Sequence, residues 1–290
     1  MKDRLTTLGF TAGWRLVRAM PLPMARALFT RVADRTWKKN GPATQRLRRN
    51  YQQIVGADMP ETLVRDGLRS YARYWMEAFR LPSLSREQHA AGFHMRADCY
   101  DEMKQLIAEG NGIVLALPHV ANWDAAAAWV VANGWQMITV QERLKPEAVF
   151  QKFLEYRESL GMRVLPLTGG ERPPFDVLAE HLKQGWVVPL LADRDLSRSG
   201  VEVEFFGGRT RMPAGPAILA ISTGAPLFAA DLWYTEHRVE ARLRRITPPA
   251  EGPLDERVKR TTQLMADAFA AGLAEHPQDW HMLQKLWIKA

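Results

Sequence analysis

Apolar residues recur along the chain with two different periods. Between residues 60 and 80, Val64, Leu68, Tyr71, Trp75 and Phe79 fall three or four apart, with Leu63 beside them. That is the spacing of one helical face. Pro82 ends the pattern, and the stretch up to about residue 90 reads as helical. From about residue 94 the pattern changes to short apolar runs separated by longer mixed segments. Strands are predicted at 112–117, 136–140, 162–166, 186–191, 201–206, 226–233 and 238–245. Helices are predicted at 123–133, 146–160, 173–184, 213–222 and 255–274. Parallel strands need long crossovers, so this alternation implies an α/β fold with a mostly parallel sheet covered by helices. Tyr234-Thr235-Glu236-His237 reads as a hairpin turn, which makes the sheet mixed. No linker, repeat or charge block interrupts residues 1–290. The expected organisation is one catalytic unit, with a helical, membrane-facing extension over 1–90 and an α/β core over 91–290.

Residues 5–29 carry Leu5, Leu8, Trp14, Leu16, Val17, Met20, Met24, Leu28 and Phe29 among Arg15, Arg18, Arg26, Pro21 and Pro23. The charges and prolines break any apolar span long enough to cross a bilayer, and they break a signal peptide too. The pattern suits an amphipathic segment at a membrane interface or a helical hairpin packed on the core, and the two are compatible.

The formal net charge is +7, which suits an anionic membrane surface or a phosphate-bearing substrate. No zinc-finger or RNP-like motif supports nucleic acid. The basic groups Lys38-Lys39, Arg46-Leu47-Arg48-Arg49 and Arg242-Leu243-Arg244-Arg245 lie beside tryptophans and apolar stretches, which also favours a membrane surface. The single cysteine, Cys99, excludes an internal disulfide and a cysteine zinc cluster. Neither metal-ligand spacing nor a Gly-x-Ser-x-Gly elbow nor a Walker loop is present, so no metal or resident cofactor is expected.

The most informative stretch is Pro118-His119-Val120-Ala121-Asn122-Trp123-Asp124. It follows the apolar run Ile113–Leu117 and precedes Ala125 to Ala128, so His119 sits at the carboxyl end of a predicted strand. In open α/β sheets ligands bind there. A neutral imidazole can take a proton from a hydroxyl, and a nearby carboxylate can fix its tautomer. Asp124 is the nearest such carboxylate in sequence; either Asn122 or Asp124 would also serve as a helix cap. Leu190-Leu191-Ala192-Asp193-Arg194-Asp195 repeats the arrangement, and parallel strands would put these charges on the rim that holds His119. Asp193 or Asp195 would then orient His119 or a substrate hydroxyl. Arg157 lies on a predicted helix rich in aromatic residues and suits a phosphate or a carboxylate. Arg211-Met212-Pro213-Ala214-Gly215-Pro216 opens a helix whose N–H groups suit an anion.

These blocks, together with Arg48-Arg49-Asn50-Tyr51, Val201–Gly207 and the tail Pro277–Gln284, resemble the lipid A lauroyl/myristoyl acyltransferase-like family with its His-x4-Asp motif, in its phosphatidylinositol mannoside branch. The resemblance covers nearly the whole chain. It implies transfer of a long acyl chain from acyl-CoA, with palmitoyl-CoA foremost, to a mannose hydroxyl of phosphatidylinositol mannoside. The enzyme would be a peripheral protein on the cytoplasmic face of the cell membrane, and a monomer. The family's catalytic His and Asp fall on His119 and Asp124, and a further acidic residue and an arginine match Asp193 and Arg157. The expected catalytic set is His119, Asp124 and Asp193, and the expected substrate-binding set is Arg157, Arg194, Asp195 and Arg211. Some relatives carry Glu where this chain has Asp193. His119 would deprotonate the hydroxyl while Asp124 holds the ring, and Ala125 to Ala128 would let the acyl chain pass close to the helix. Other lipid acceptors, hydrolysis of acyl-CoA and non-catalytic lipid binding are the alternatives.

Overall fold

The computed structural model describes residues 12–143, 146–195 and 199–288. Leu5, Leu8 and Leu196 lie outside the described residues.

Five helices come first: α1 (12–19), α2 (Leu22–Lys39), α3 (Pro42–Val55), α4 (Glu61–Arg80) and α5 (Arg86–Ala91). Pro23 and Pro42 sit in the first turns of α2 and α3, where no intrahelical N–H is lost. Ser85 and Gln88 form a capping box on α5. Arg80 donates to the carbonyls of Val17 at 2.7 Å and Met20 at 2.6 Å, satisfying carbonyls that the end of α1 leaves unbonded.

The α/β part follows as β1 (Phe93–Met95), α6 (Ala97–Ala108), β2 (Ile113–Leu117), α7 (Trp123–Ala132), β3 (Ile138–Gln141), α8 (Glu147–Ser159), β4 (Arg163–Pro166), α9 (Pro174–Leu182) and β5 (Val187–Leu191). It ends with β6 (Val201–Phe205), β7 (Gly208–Met212), α10 (Gly215–Thr223), β8 (Leu227–Tyr234), β9 (Val239–Ile246) and α11 (Leu254–Glu275). The central sheet has the order β1-β9-β8-β2-β5. All its pairs are parallel except the β8–β9 hairpin. Strands β3 and β4 form a parallel pair joined to β5 by a bridge from Met137 to Val187. The mixed, mostly parallel sheet is thus as expected. Strands β1 and β7 and helix α6 were not anticipated.

All five residues of β2 are buried, as a central parallel strand covered on both faces must be. The residues of period two separate the faces. Leu115 and Leu117, Pro189 and Leu191, and Ala230 and Leu232 turn toward α7. Asp231, on the opposite face of β8, meets α11 so closely that a Cβ on Gly272 would lie 2.1 Å from its carboxylate.

The N-terminal helices do two things at once. Trp14 and Val17 are buried, with Trp14 against Phe79, Phe153 and Tyr156. Leu16 is 61% exposed and Met24 59%, and Leu28 and Val32 continue an outward stripe four residues apart. Among the described residues no helix is long and apolar enough to cross a membrane. The arginine group at 242–245 is less free than the sequence suggested. Arg242 and Arg244 both pair with the buried Asp231 and with Glu275, and Arg245 pairs with Glu102.

Helices α3 and α4 also hold the C-terminal segment. Asn50 donates to the carbonyls of Met282 at 2.7 Å and Gln284 at 3.0 Å. The Tyr51 hydroxyl donates to Trp280 O at 3.0 Å. Gly67 leaves room for the Tyr51 ring, since a Cβ there would come within 2.2 Å of its hydroxyl. The segment after α11 is thereby led back to the carboxyl end of β2.

Candidate active site

The turn after β2 is held from outside. Ala121 takes a left-handed φ of 46°, which costs a non-glycine residue about 1 kcal/mol. Two backbone hydrogen bonds, which together make one antiparallel bridge, maintain it. Ala121 N–H donates to Asp279 O at 2.9 Å and His281 N–H donates to His119 O at 2.8 Å, which bridges Val120 to Trp280. Asn122 then caps α7 by accepting from Ala125 N–H at 2.9 Å. Its amide donates to Glu77 at 3.0 Å. The cap of α7 is therefore Asn122, which leaves Asp124 for another partner.

His119 Nδ1 lies 2.6 Å from Asp193 Oδ1, and His119 N–H donates to Asp193 Oδ2 at 3.0 Å. Trp280 Nε1 donates to the same Oδ2 at 2.9 Å. The His119 side chain is 19% exposed and that of Asp193 is fully buried. Burial alone would raise the Asp193 carboxyl. The imidazole and the two N–H donors overcome that and bring it below the usual carboxylate range. Asp193 is ionised at neutral pH, so Nδ1 carries the proton it donates, and Nε2 is left with the lone pair a general base needs. The aspartate side chain spans the gap directly, without the length of a glutamate.

Asp124 does not touch His119, contrary to the expectation that it would hold the ring. Its Oδ1 accepts from Arg157 Nε at 2.8 Å and its Oδ2 from the Tyr74 hydroxyl at 3.0 Å. Arg157 Nη1 donates to Gln141 at 2.7 Å. Burial alone would lower the Arg157 guanidinium, and Asp124 reverses this and leaves it raised. Of the two partners proposed for Arg157, the structure selects the carboxylate. Asp124 leaves α7 in its first turn, on the side facing α8, whereas His119 precedes the reversal at Ala121 and faces the end of β5.

Beside Asp124 and Arg157 lies an apolar cavity of about 90 Å³ between α7 and the sheet, which neither His119 nor Asp193 lines. Its wall includes Trp123, Asp124, Ala126, Ala127, Arg157, Leu117, Leu191 and Met137. Arg194, Asp195 and Arg211 do not line it. Asp195 N–H instead donates to Arg211 O at 2.8 Å, tying the segment after β5 to the β6–β7 hairpin. Among the described residues no group of three His, Cys, Asp or Glu side chains could hold a metal ion. Cys99 is buried, and burial raises its thiol pKa, which makes it a poor nucleophile.

Sequence reasoning missed Tyr74, Trp280 and Glu77. Tyr74 lies between the apolar positions Tyr71 and Trp75 and was not distinguished from them. Trp280 fell within the singled-out tail, but nothing local links it to Asp193. His281 lies in the same tail. It is buried, with Nε2 3.0 Å from Ser70 Oγ, which donates to Asp279 at 2.7 Å. Burial pushes its pKa down to about 3.

A model of the bacterial lipid A biosynthesis acyltransferase family matches residues 3–289. The chain is 50% identical over 288 residues to a phosphatidylinositol mannoside acyltransferase of Mycolicibacterium smegmatis, across 98% of this chain and 92% of the relative. It is 44% identical over 286 residues to a protein of the same name from Mycobacterium tuberculosis, across 98% and 89%. The chain belongs to the bacterial lipid A biosynthesis acyltransferase family and is an O-acyltransferase.

Proposed function

We propose that this enzyme moves a long fatty acyl chain from acyl-CoA, foremost palmitoyl-CoA, to a mannose hydroxyl of phosphatidylinositol mannoside. The names of the two mycobacterial relatives support the acceptor. The observation that carries the chemistry is the contact of the partly exposed His119 with the fully buried Asp193, beside Trp123 of an apolar cavity wall. His119 Nε2 takes the hydroxyl proton as the oxygen attacks the thioester carbonyl. Asp193 fixes the tautomer and stabilises the imidazolium. The tetrahedral intermediate then collapses, the C–S bond breaks, and the CoA thiolate leaves with the proton from His119. The cavity takes the acyl chain along α7, where Ala126 and Ala127 keep the wall low. The outward stripe of Leu16, Met24, Leu28 and Val32 supports docking on the cytoplasmic face of the membrane, with residues 1–90 serving as the membrane-facing part of a single unit. Arg194, Asp195 and Arg211 remain candidates for the part of the substrate outside the cavity.

The test is acyl transfer from palmitoyl-CoA to phosphatidylinositol mannoside in vesicles, followed by mass spectrometry of the lipid and by release of free CoA. Wild type makes acylated mannoside and His119→Ala does not. CoA release without acylated lipid would favour hydrolysis or another lipid acceptor. Full activity in His119→Ala would refute the base.

A further inference from the structure

Five buried polar side-chain atoms among the described residues have no hydrogen-bond partner: His89 Nδ1, Trp123 Nε1, Gln141 Nε2, the Tyr156 hydroxyl and His281 Nδ1. Burying a donor without a partner is costly, and each such case calls for a reason. Trp123 alone among these five residues lines the apolar cavity. Other polar groups on that wall are engaged. Asp124 accepts from Arg157 and Tyr74. Arg157 donates to Asp124 and Gln141. Thr139 donates to Pro189 O at 2.6 Å.

The indole is also held in place. Its ring stacks on Tyr74 with centroids 4.1 Å apart, and it meets the His119 ring edge to face at 5.5 Å. Tyr74 is anchored in turn by its hydroxyl on Asp124. A residue of the cavity wall therefore carries a fixed N–H donor without a partner, and its ring lies against the imidazole. A fatty acyl chain has one polar group, the thioester carbonyl at its head, and the carbonyl carbon must come within reach of a hydroxyl activated by His119. The carbonyl oxygen would then be the partner the indole lacks.

We propose that Trp123 Nε1–H donates a hydrogen bond to the thioester carbonyl oxygen and holds the oxyanion that forms there, an inference that rests on the acyl-CoA reading above. As the acceptor oxygen bonds to the carbonyl carbon, the carbonyl π pair moves onto the oxygen held by Trp123, and the hydroxyl proton moves to His119 Nε2. When the pair returns, the C–S bond breaks and the thiolate takes the proton from His119. A donor that tightens on developing charge lowers the barrier more than it tightens substrate binding.

Two replacements test this: Trp123→Phe, and Trp123→β-(3-benzothienyl)alanine, which keeps the bicyclic outline with sulfur in place of N–H. In both, kcat falls by about 10²–10³, the loss typical of one oxyanion donor, while KM for palmitoyl-CoA changes little. The second readout is the infrared stretch of ¹³C-carbonyl palmitoyl-CoA bound to His119→Ala, in which the thioester survives. The band lies at lower frequency than for the free thioester, and replacing Trp123 reverses the shift. A bound carbonyl band that ignores both replacements overturns the assignment, as does an unchanged kcat in the benzothienyl variant. If palmitoyl-CoA fails to bind the otherwise intact enzyme, the acyl-CoA reading falls and this proposal falls with it.

Discussion

Replacing Asp193 by Asn removes a fully buried carboxylate that accepts from His119 N–H, His119 Nδ1 and Trp280 Nε1. Asparagine has the same volume but one acceptor oxygen and two N–H donors. If its NH₂ faces Nδ1, the ring proton must move to Nε2, and the base loses its lone pair. If its oxygen faces Nδ1, the NH₂ opposes the N–H groups of His119 and Trp280. Either way the imidazolium loses its counter-charge, and kcat is expected to fall on the order of 10³–10⁴-fold. Asp124→Asn perturbs something else. It leaves the buried Arg157 without its counter-charge while the His119–Asp193 contact stays intact. Breaking one side of a buried ion pair costs about 3–5 kcal/mol. For 290 residues, an unfolding entropy of about 0.6 kcal/mol per degree converts this to a melting point lower by about 5–8 °C. The pair of variants is measured by initial rates of acyl transfer at 25 °C and by scanning calorimetry. Asp193→Asn should lose turnover by far the more of the two, and Asp124→Asn should lose melting temperature. A large loss of turnover in Asp124→Asn at an unchanged melting point, with Asp193→Asn active, would refute the assignment of the orienting carboxylate to Asp193.

Two further outcomes follow from the same geometry. Ala127→Phe places a ring in the cavity wall, so activity should shift from long toward shorter acyl-CoA chains; a preference unchanged across a chain-length series would count against the cavity as the acyl site. His281 is neutral in the fold, with a pKa of about 3 against about 6.5 when unfolded. The unfolded chain therefore binds the extra proton between those values, so stability is full above about pH 6.5 and falls as pH drops. The slope of about 1.4 kcal/mol per unit removes about 2 kcal/mol by pH 5. Urea denaturation of wild type and His281→Gln at pH 7 and pH 5 checks this, and equal acid losses in the two would refute it.

The residues of the site were legible in the sequence, and Asp193 was among the carboxylates offered to His119, but which of Asp124, Asp193 and Asp195 meets the ring was not. His119 and Asp193 each ended an apolar run in a charged or polar turn, which is why both were picked out. Asp124 was assigned to His119 because it is near in sequence, yet a helix start separates them. The correct partner is dictated by strand order. β2 and β5 are parallel neighbours with Leu117 opposite Leu191, so the residues two places beyond each strand end, His119 and Asp193, emerge side by side. Hydrophobic periodicity locates both strands but carries no information on which of them are adjacent, and the two residues are 74 positions apart. The same limit hid Trp280. It lies in a segment without regular period, after a short 3₁₀ turn, and it reaches Asp193 only because Asn50 and Tyr51 on α3 draw that segment back across the site. The small elements β1 and β7 were missed for a related reason. Three or five residues bearing His94, Arg209 and Arg211 show little apolar patterning, and they become strands because β9 and β6 offer partners for their backbones. What the chain states locally is which groups can do chemistry, and what the sheet adds is which of them meet.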